Sequence, residues 1–200
     1  MSCVIKSISP CFETLKAVDG EVQHLSFHQA RFDKTRKELY GSTQTIVLLE
    51  HLNPPKAVTC KVRVEYAETI QTIEYLPYAP RDFQTFALVE ADIDYTYKYC
   101  NREALNAHLR DDVDDVLFTC KGELKDTSIA NIALFIDGVW KTPLHPLLEG
   151  TTRARLLTCK ELKAEVLDIE SLQKAQKFAI MNALIGFRII DNVLWKRIEF

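Results

Sequence analysis

Residues 58–66 alternate apolar and polar side chains without a break: Val58, Cys60, Val62, Val64 and Tyr66 against Thr59, Lys61, Arg63 and Glu65. A period of two fits a strand that buries one face. The chain must therefore supply partners to pair with this strand and a layer to cover it. Residues 11–18 read as one such strand. Asp19-Gly20 is a tight-turn pair, with 22–25 as the return strand. Residues 70–75 read as the next neighbour. Ser26 is placed to cap a helix over 27–40, and Gly41 stands where such a helix stops. Ser42 is read as the cap of a second helix through Ile46, Leu49 and Leu52, ended by Asn53-Pro54-Pro55.

The remainder mixes both element types. Residues 77–81 form a Pro-containing loop, 86–91 a short strand, and 92–97 a linker rich in Tyr and Asp. Asn101 is placed to cap a helix over 102–110. Strands follow at 115–120 and 131–136, with turns at Lys121-Gly122 and Asp137-Gly138 and a partner strand at 139–141. Gly150-Thr151-Thr152 opens a helix through Leu157. A strand at 164–167, a helix at 171–176 and strands at 178–184, 187–190 and beyond an Asp191-Asn192 turn complete the chain. One boundary is expected near residue 90, giving a smaller domain over 1–90 and a larger one over 91–200.

Composition narrows the class of protein. The 200 residues are 47% hydrophobic and 26% charged, with 6 Gly and 7 Pro, which suits a globular chain and excludes collagen-like or low-complexity types. A formal charge of −3 gives no general drive toward nucleic acid or an anionic membrane. No apolar run reaches the ~18 residues of a membrane span, and residues 1–10 lack the apolar core of a secretory signal. Six cysteines with no C-x-x-C pair are expected to be reduced thiols in a cytoplasmic protein, without a zinc site.

Two features carry candidate chemistry. The helix start at Gly150-Thr151-Thr152-Arg153 offers N–H groups and hydroxyls to a phosphate, although the same residues serve an ordinary capped helix. Lys98 lies between Tyr97 and Tyr99. Aromatic surroundings make a lysine amine a nucleophile for carbonyls, while a lysine in a linker is more commonly a solvated charge. No G-x-S-x-G, H-E-x-x-H, G-x-G-x-x-G or Walker loop is present. His24 and His28 are four apart, but His24 precedes the predicted helix. Asp111, Asp112, Asp114 and Asp115 read as a hydrated cluster at a strand start.

Five segments, in order, resemble one family: Phe12-Glu13-Thr14, His28 to Phe32, Lys98 to Arg102, Asp126 to Asn131, and Gly150 to Arg153. They are similar to the fold-type IV pyridoxal 5'-phosphate (PLP) enzymes. That group holds branched-chain and D-amino-acid aminotransferases and 4-amino-4-deoxychorismate lyases. The resemblance runs over about residues 11–190. It implies a mixed α/β, two-domain D-amino-acid-aminotransferase-like PLP-dependent fold with a shortened N-terminal domain, and a homodimer. It implies that Lys98 bonds to the cofactor and then moves protons at the substrate α-carbon. Asp126 falls where the family usually has Glu, beside the pyridine nitrogen. Arg31, Thr151 and Thr152 match phosphate contacts, and Ile129, Ala130, Asn131 and Asn182 match other cofactor contacts. Lys98 followed by Asn101-Arg102, and Met181 to Leu184 around Asn182, lean toward the lyase, which makes 4-aminobenzoate and pyruvate; the resemblance also puts Thr14 near the substrate, with a hydroxyl able to donate a proton in a β-elimination. A class IV aminotransferase acting on branched-chain or D-amino acids, and a non-catalytic PLP-binding relative, are the alternatives. Tyr95, Tyr97 and Arg63 are candidates for substrate contact or for packing and solvated charge.

Overall fold

The structure, a computed structural model, describes residues 9–196. The chain divides into two compact units. The first holds residues up to Tyr78 and the short stretch Tyr97–Asn101; the second holds Ala79–Thr96 and the chain from Arg102 onward. The division is thus not one cut near residue 90. Residues 85–90 form a strand in parallel register with a strand of the second unit, which draws the segment after Tyr78 into it. Tyr97–Asn101 returns to the first, where the Phe12 N–H donates to the Lys98 carbonyl at 2.9 Å and Cys11 bridges Tyr99.

The first unit is an antiparallel sheet with one main helix. β1 (Cys11–Val18) runs through a two-residue loop into β2 (Glu21–Val22). Asp19 and Gly20 both have positive φ, 50° and 80°, the geometry that matches strand twist in such a loop. α1 (Leu25–Tyr40) follows, then the one-turn α2 (Leu48–His51), β3 (Thr59–Tyr66) and β4 (Ile70–Pro77). The sheet order is β2-β1-β3-β4. Along β3 the predicted alternation is realised from Cys60 onward: Cys60, Val62, Val64 and Tyr66 are buried with Leu15 of β1 and Phe32 of α1, whereas Val58 precedes the strand and is exposed.

Three local expectations change here. β2 ends at Val22, and α1 starts at Leu25 with left-handed His24, not Ser26, at its N-cap. The second helix shrinks to one turn because side chains of α1 take the backbone groups it would have used. Arg36 donates to the Gln44 carbonyl and the Ser42 hydroxyl, and Gln29 bonds the Ile46 carbonyl and the Leu48 N–H.

The second unit has two sheets. β5 (Thr85–Glu90), β6 (Asp115–Cys120), β7 (Glu123–Thr127) and β13 (Leu194–Lys196) make one, in the order β13-β5-β6-β7. β8 (Asn131–Ile136), β9 (Val139–Pro143), β10 (Lys163–Glu165), β11 (Lys177–Asn182) and β12 (Gly186–Ile190) make the other, in the order β10-β9-β8-β11-β12. Phe86, Leu117, Leu124, Ile132, Leu134, Phe178 and Ile180 form one core from the facing sides of both sheets. Ala133, Ala179 and Met181 face the other way, against Leu156 of α4 (Thr151–Thr158). β8 and β11 are therefore covered on both faces, which explains their nearly continuous apolar sequence.

α3 (Glu103–Asn106) is one turn with Arg102 at its N-cap, in place of the predicted helix over 102–110. α5 (Ile169–Lys174) is capped by Asp168. Strand β7 went unread in the sequence. Asp115 is buried (4% exposed) at the start of β6, not hydrated, and Asp114 accepts from the N–H groups of Gln84 and Thr85. Cys11, Cys60, Cys100, Cys120 and Cys159 are free thiols. No helix among the described residues is long and apolar enough to cross a membrane.

Candidate active site

β1 of the first unit presents two different faces. Cys11, Glu13, Leu15 and Ala17 point toward α1 and are buried. Phe12 and Thr14 point to the opposite face, where Thr14 stands across from Arg63 of β3. The Lys98 Nζ lies 4.6 Å from the centre of the Phe12 ring, and the Arg63 guanidinium carbon lies 4.0 Å from it. Arg63 is further held by Glu65 at 2.6 Å. Tyr97 and Tyr99 meet edge to face at 5.9 Å and pack against the first core. The ring against the lysine amine is therefore that of Phe12, whereas the flanking Tyr97 and Tyr99 on which the sequence reading rested pack against the core. Tyr95 belongs to the second unit, where it is buried beside Arg102.

Arg31 lies on α1 and donates to Glu13 through Nε (2.8 Å) and Nη2 (2.6 Å). His28 Nδ1 meets the same carboxylate at 2.6 Å. Glu13 and His28 lie in segments that carry the family resemblance, but neither was given a role in the sequence. The usable signal was a glutamate at an apolar position of β1, since a carboxylate there requires cationic or N–H partners.

In the second unit, the turn from β7 to β8 carries a second group. Asp126 Oδ1 accepts from Asn131 Nδ2 at 2.8 Å, and Oδ2 accepts from the Leu148 N–H at 2.9 Å. Burial pushes the Asp126 carboxyl up to about 6, against the Asn131 amide, the Leu148 and Leu147 N–H groups and the Arg153 charge, which all lower it. Asn131 Nδ2 also donates to the Leu148 carbonyl. Its Oδ1 lies only 1.9 Å from where a Cβ on Gly150 would sit. A glycine is therefore required at this helix entry by close approach, not by φ.

The other predicted residues gather around the same turn. Asn182 Nδ2 donates to the Ile129 carbonyl, and Asn182 Oδ1 accepts from the N–H groups of Leu184 and Ile185. Thr127 Oγ1 accepts from the N–H groups of Ile129 and Ala130. Thr151 and Thr152 are buried in the first turn of α4. Arg102 Nη2 donates to the Ser128 carbonyl at 2.6 Å. Hydrogen bonds thus tie Asp126 to Asn131 and, separately, Asn182 to Ile129 and Thr127 to Ile129 and Ala130, and Gly150 brings the Thr151–Thr152 helix start to Asn131. Lys98, Thr14 and Arg31 belong to the first unit.

The family model for class IV aminotransferases matches residues 40–193. The chain belongs to this family and is a PLP-dependent enzyme of it. A protein of Haemophilus influenzae of uncharacterised function is 31% identical over 186 residues, spanning 88% of this chain and 98% of its own length. A solved structure from Haemophilus somnus, provisionally named a 4-amino-4-deoxychorismate lyase, is 29% identical with a TM-score of 0.81, covering 89% of this chain and 97% of that one. A PLP-bound hypothetical aminotransferase from Mycobacterium tuberculosis shares the fold at 16% identity, with a TM-score of 0.73 over 95% of this chain and 84% of its own.

Proposed function

We propose that the protein is a PLP-dependent lyase that converts 4-amino-4-deoxychorismate to 4-aminobenzoate and pyruvate. One observation carries this reading: Thr14 occupies the same face of β1 as Phe12, and the Lys98 amine stands over the Phe12 ring. A hydroxyl and an amine on one sheet face suit a reaction that removes one proton and delivers another.

The residues fit the cofactor. Asp126 is a buried carboxylate whose direct donors are a neutral amide and peptide N–H groups. Such a group gains most from a cationic N–H partner, which a protonated pyridine ring is. Lys98 would hold the cofactor aldehyde, Arg31, Thr151 and Thr152 its phosphate, and Asp126 its ring nitrogen. Ile129, Ala130, Asn131 and Asn182 would shape the pocket beside it. When bound, PLP supplies an electron sink for the electrons released at the substrate carbon. Lys98 takes the proton from the amine-bearing carbon. Thr14 gives a proton to the ether oxygen as the bond between that oxygen and the ring carbon breaks, so that the side chain leaves as an enol. The enol becomes pyruvate and the ring left behind is aromatic.

We further assign the enzyme to the cytoplasm and to a homodimer. The test of the reaction is pyruvate release from 4-amino-4-deoxychorismate by the PLP-loaded protein. Release by wild type and none from Lys98→Ala supports the lyase. Glutamate formed from 2-oxoglutarate and an amino acid, with no pyruvate from the chorismate derivative, would assign it instead as an aminotransferase, the activity that the family's name favours.

A further inference from the structure

The way Arg31 is held goes beyond the roles above, and its meaning rests on the PLP reading. Glu13 lies between Cys11 and Leu15 on the buried face of β1 and is 0% exposed. Its carboxylate takes two nitrogens on one edge of the Arg31 guanidinium and also meets His28, which is 1% exposed. Burial raises the Glu13 carboxyl, but the Arg31 charge and the bonds from His28 and Arg31 outweigh it and bring the group down to about 2. It is ionised at any working pH.

A carboxylate on this arginine presents a conflict. For charge alone, Glu13 opposes the binding of a phosphate by cancelling part of the guanidinium charge. For geometry, it helps. The guanidinium is flat, so a two-point contact along one edge fixes its plane and the direction of the opposite edge. We infer that Glu13, supported by His28, is a positioning residue that aims Arg31 at the cofactor phosphate, and that its geometric contribution exceeds its electrostatic cost. His28 matters because it is the second donor to Oε2 and keeps the carboxylate from turning.

The two effects have opposite signs, which makes the inference testable without turnover. Fluorescence titration of the apo-protein with PLP, and with pyridoxal, which lacks the phosphate, reads the phosphate contribution directly. Glu13→Gln keeps the shape and removes the charge. The expected result is a loss of PLP affinity of about tenfold or more, with pyridoxal affinity changed by less than about threefold. Tighter PLP binding would overturn the inference, because charge would then dominate. An equal loss for both ligands would also overturn it, as a purely structural role predicts. If Glu13→Gln does not fold, His28→Asn decides, with a smaller but still PLP-selective loss expected and an unselective or absent one contradicting. Wild type binding PLP no better than pyridoxal would remove the inference together with the cofactor reading. Failure in the variants alone leaves that reading standing.

Discussion

Asn131 shows how little freedom the second-unit cluster has. Both protons of its amide are used, on Asp126 and on the Leu148 carbonyl, and its oxygen fills the space beside Gly150. Gly150→Ala must push that oxygen away and so disturb Asp126. It is expected to destabilise the fold by about 1–3 kcal/mol, measured by denaturant unfolding, and to weaken PLP binding. Asp126 sets a pH dependence. Its carboxyl is raised to about 6 in the folded chain, above its ordinary value. A raised acid weakens the apo fold above pH 6 and ceases to do so as pH falls toward 4. A cationic ring N–H favours the ionised form, so binding runs the other way. PLP affinity should fall as pH drops through about 6, by up to about tenfold per further pH unit; a flat profile between pH 7.5 and 5 would contradict this role. Glu13 acts in the opposite sense on stability. Its folded value is depressed to about 2. Its contribution, on the order of 3 kcal/mol, is present above about pH 4.5 and is lost as pH falls toward 2. Glu13→Gln should flatten the acid limb of the stability curve over that range.

Among the elements, those with a strong local pattern were legible and those decided by tertiary partners were not. β1, β6 and β8 coincide with their predicted bounds because alternation or an apolar run meets a two-residue turn at one end. The Lys121-Gly122 and Asp137-Gly138 turns have positive φ at both residues. The first of these held an unused signal. A tight turn after β6 demands a return strand, and that strand is β7, which carries Asp126. Its sequence, Glu-Leu-Lys-Asp-Thr, has too few apolar residues to announce itself. The segment 41–47 failed for another reason: Arg36, fully buried on α1, captures the Gln44 and Glu68 carbonyls and the Ser42 hydroxyl. Arg36→Met is expected to cost about 2–4 kcal/mol by leaving those acceptors without their donors. Calorimetric or denaturant unfolding would read it, and a change below about 0.5 kcal/mol would refute the anchoring role.

At the scale of the whole molecule, the residues proposed for the cofactor come from sequence-distant segments. Lys98 and Arg31 belong to the first unit, and Asp126, Thr151 and Thr152 to the second. No single motif could reveal such an arrangement. The helix start at Gly150 and the lysine between tyrosines were each ambiguous alone, and became informative only through their order with the other three segments. What remained hidden was the way the motif residues support one another: Glu13 and His28 behind Arg31, and Arg102 on the Ser128 carbonyl. Their presence in the motifs was legible, but these contacts depend on burial and tertiary placement. Every other role proposed for the cofactor depends on Lys98 anchoring PLP. The most direct measurement is the absorbance spectrum of the purified protein with added PLP, beside Lys98→Ala. Wild type is expected to show a band of lysine-bound cofactor that is missing in the variant. Identical spectra from the two proteins would contradict it.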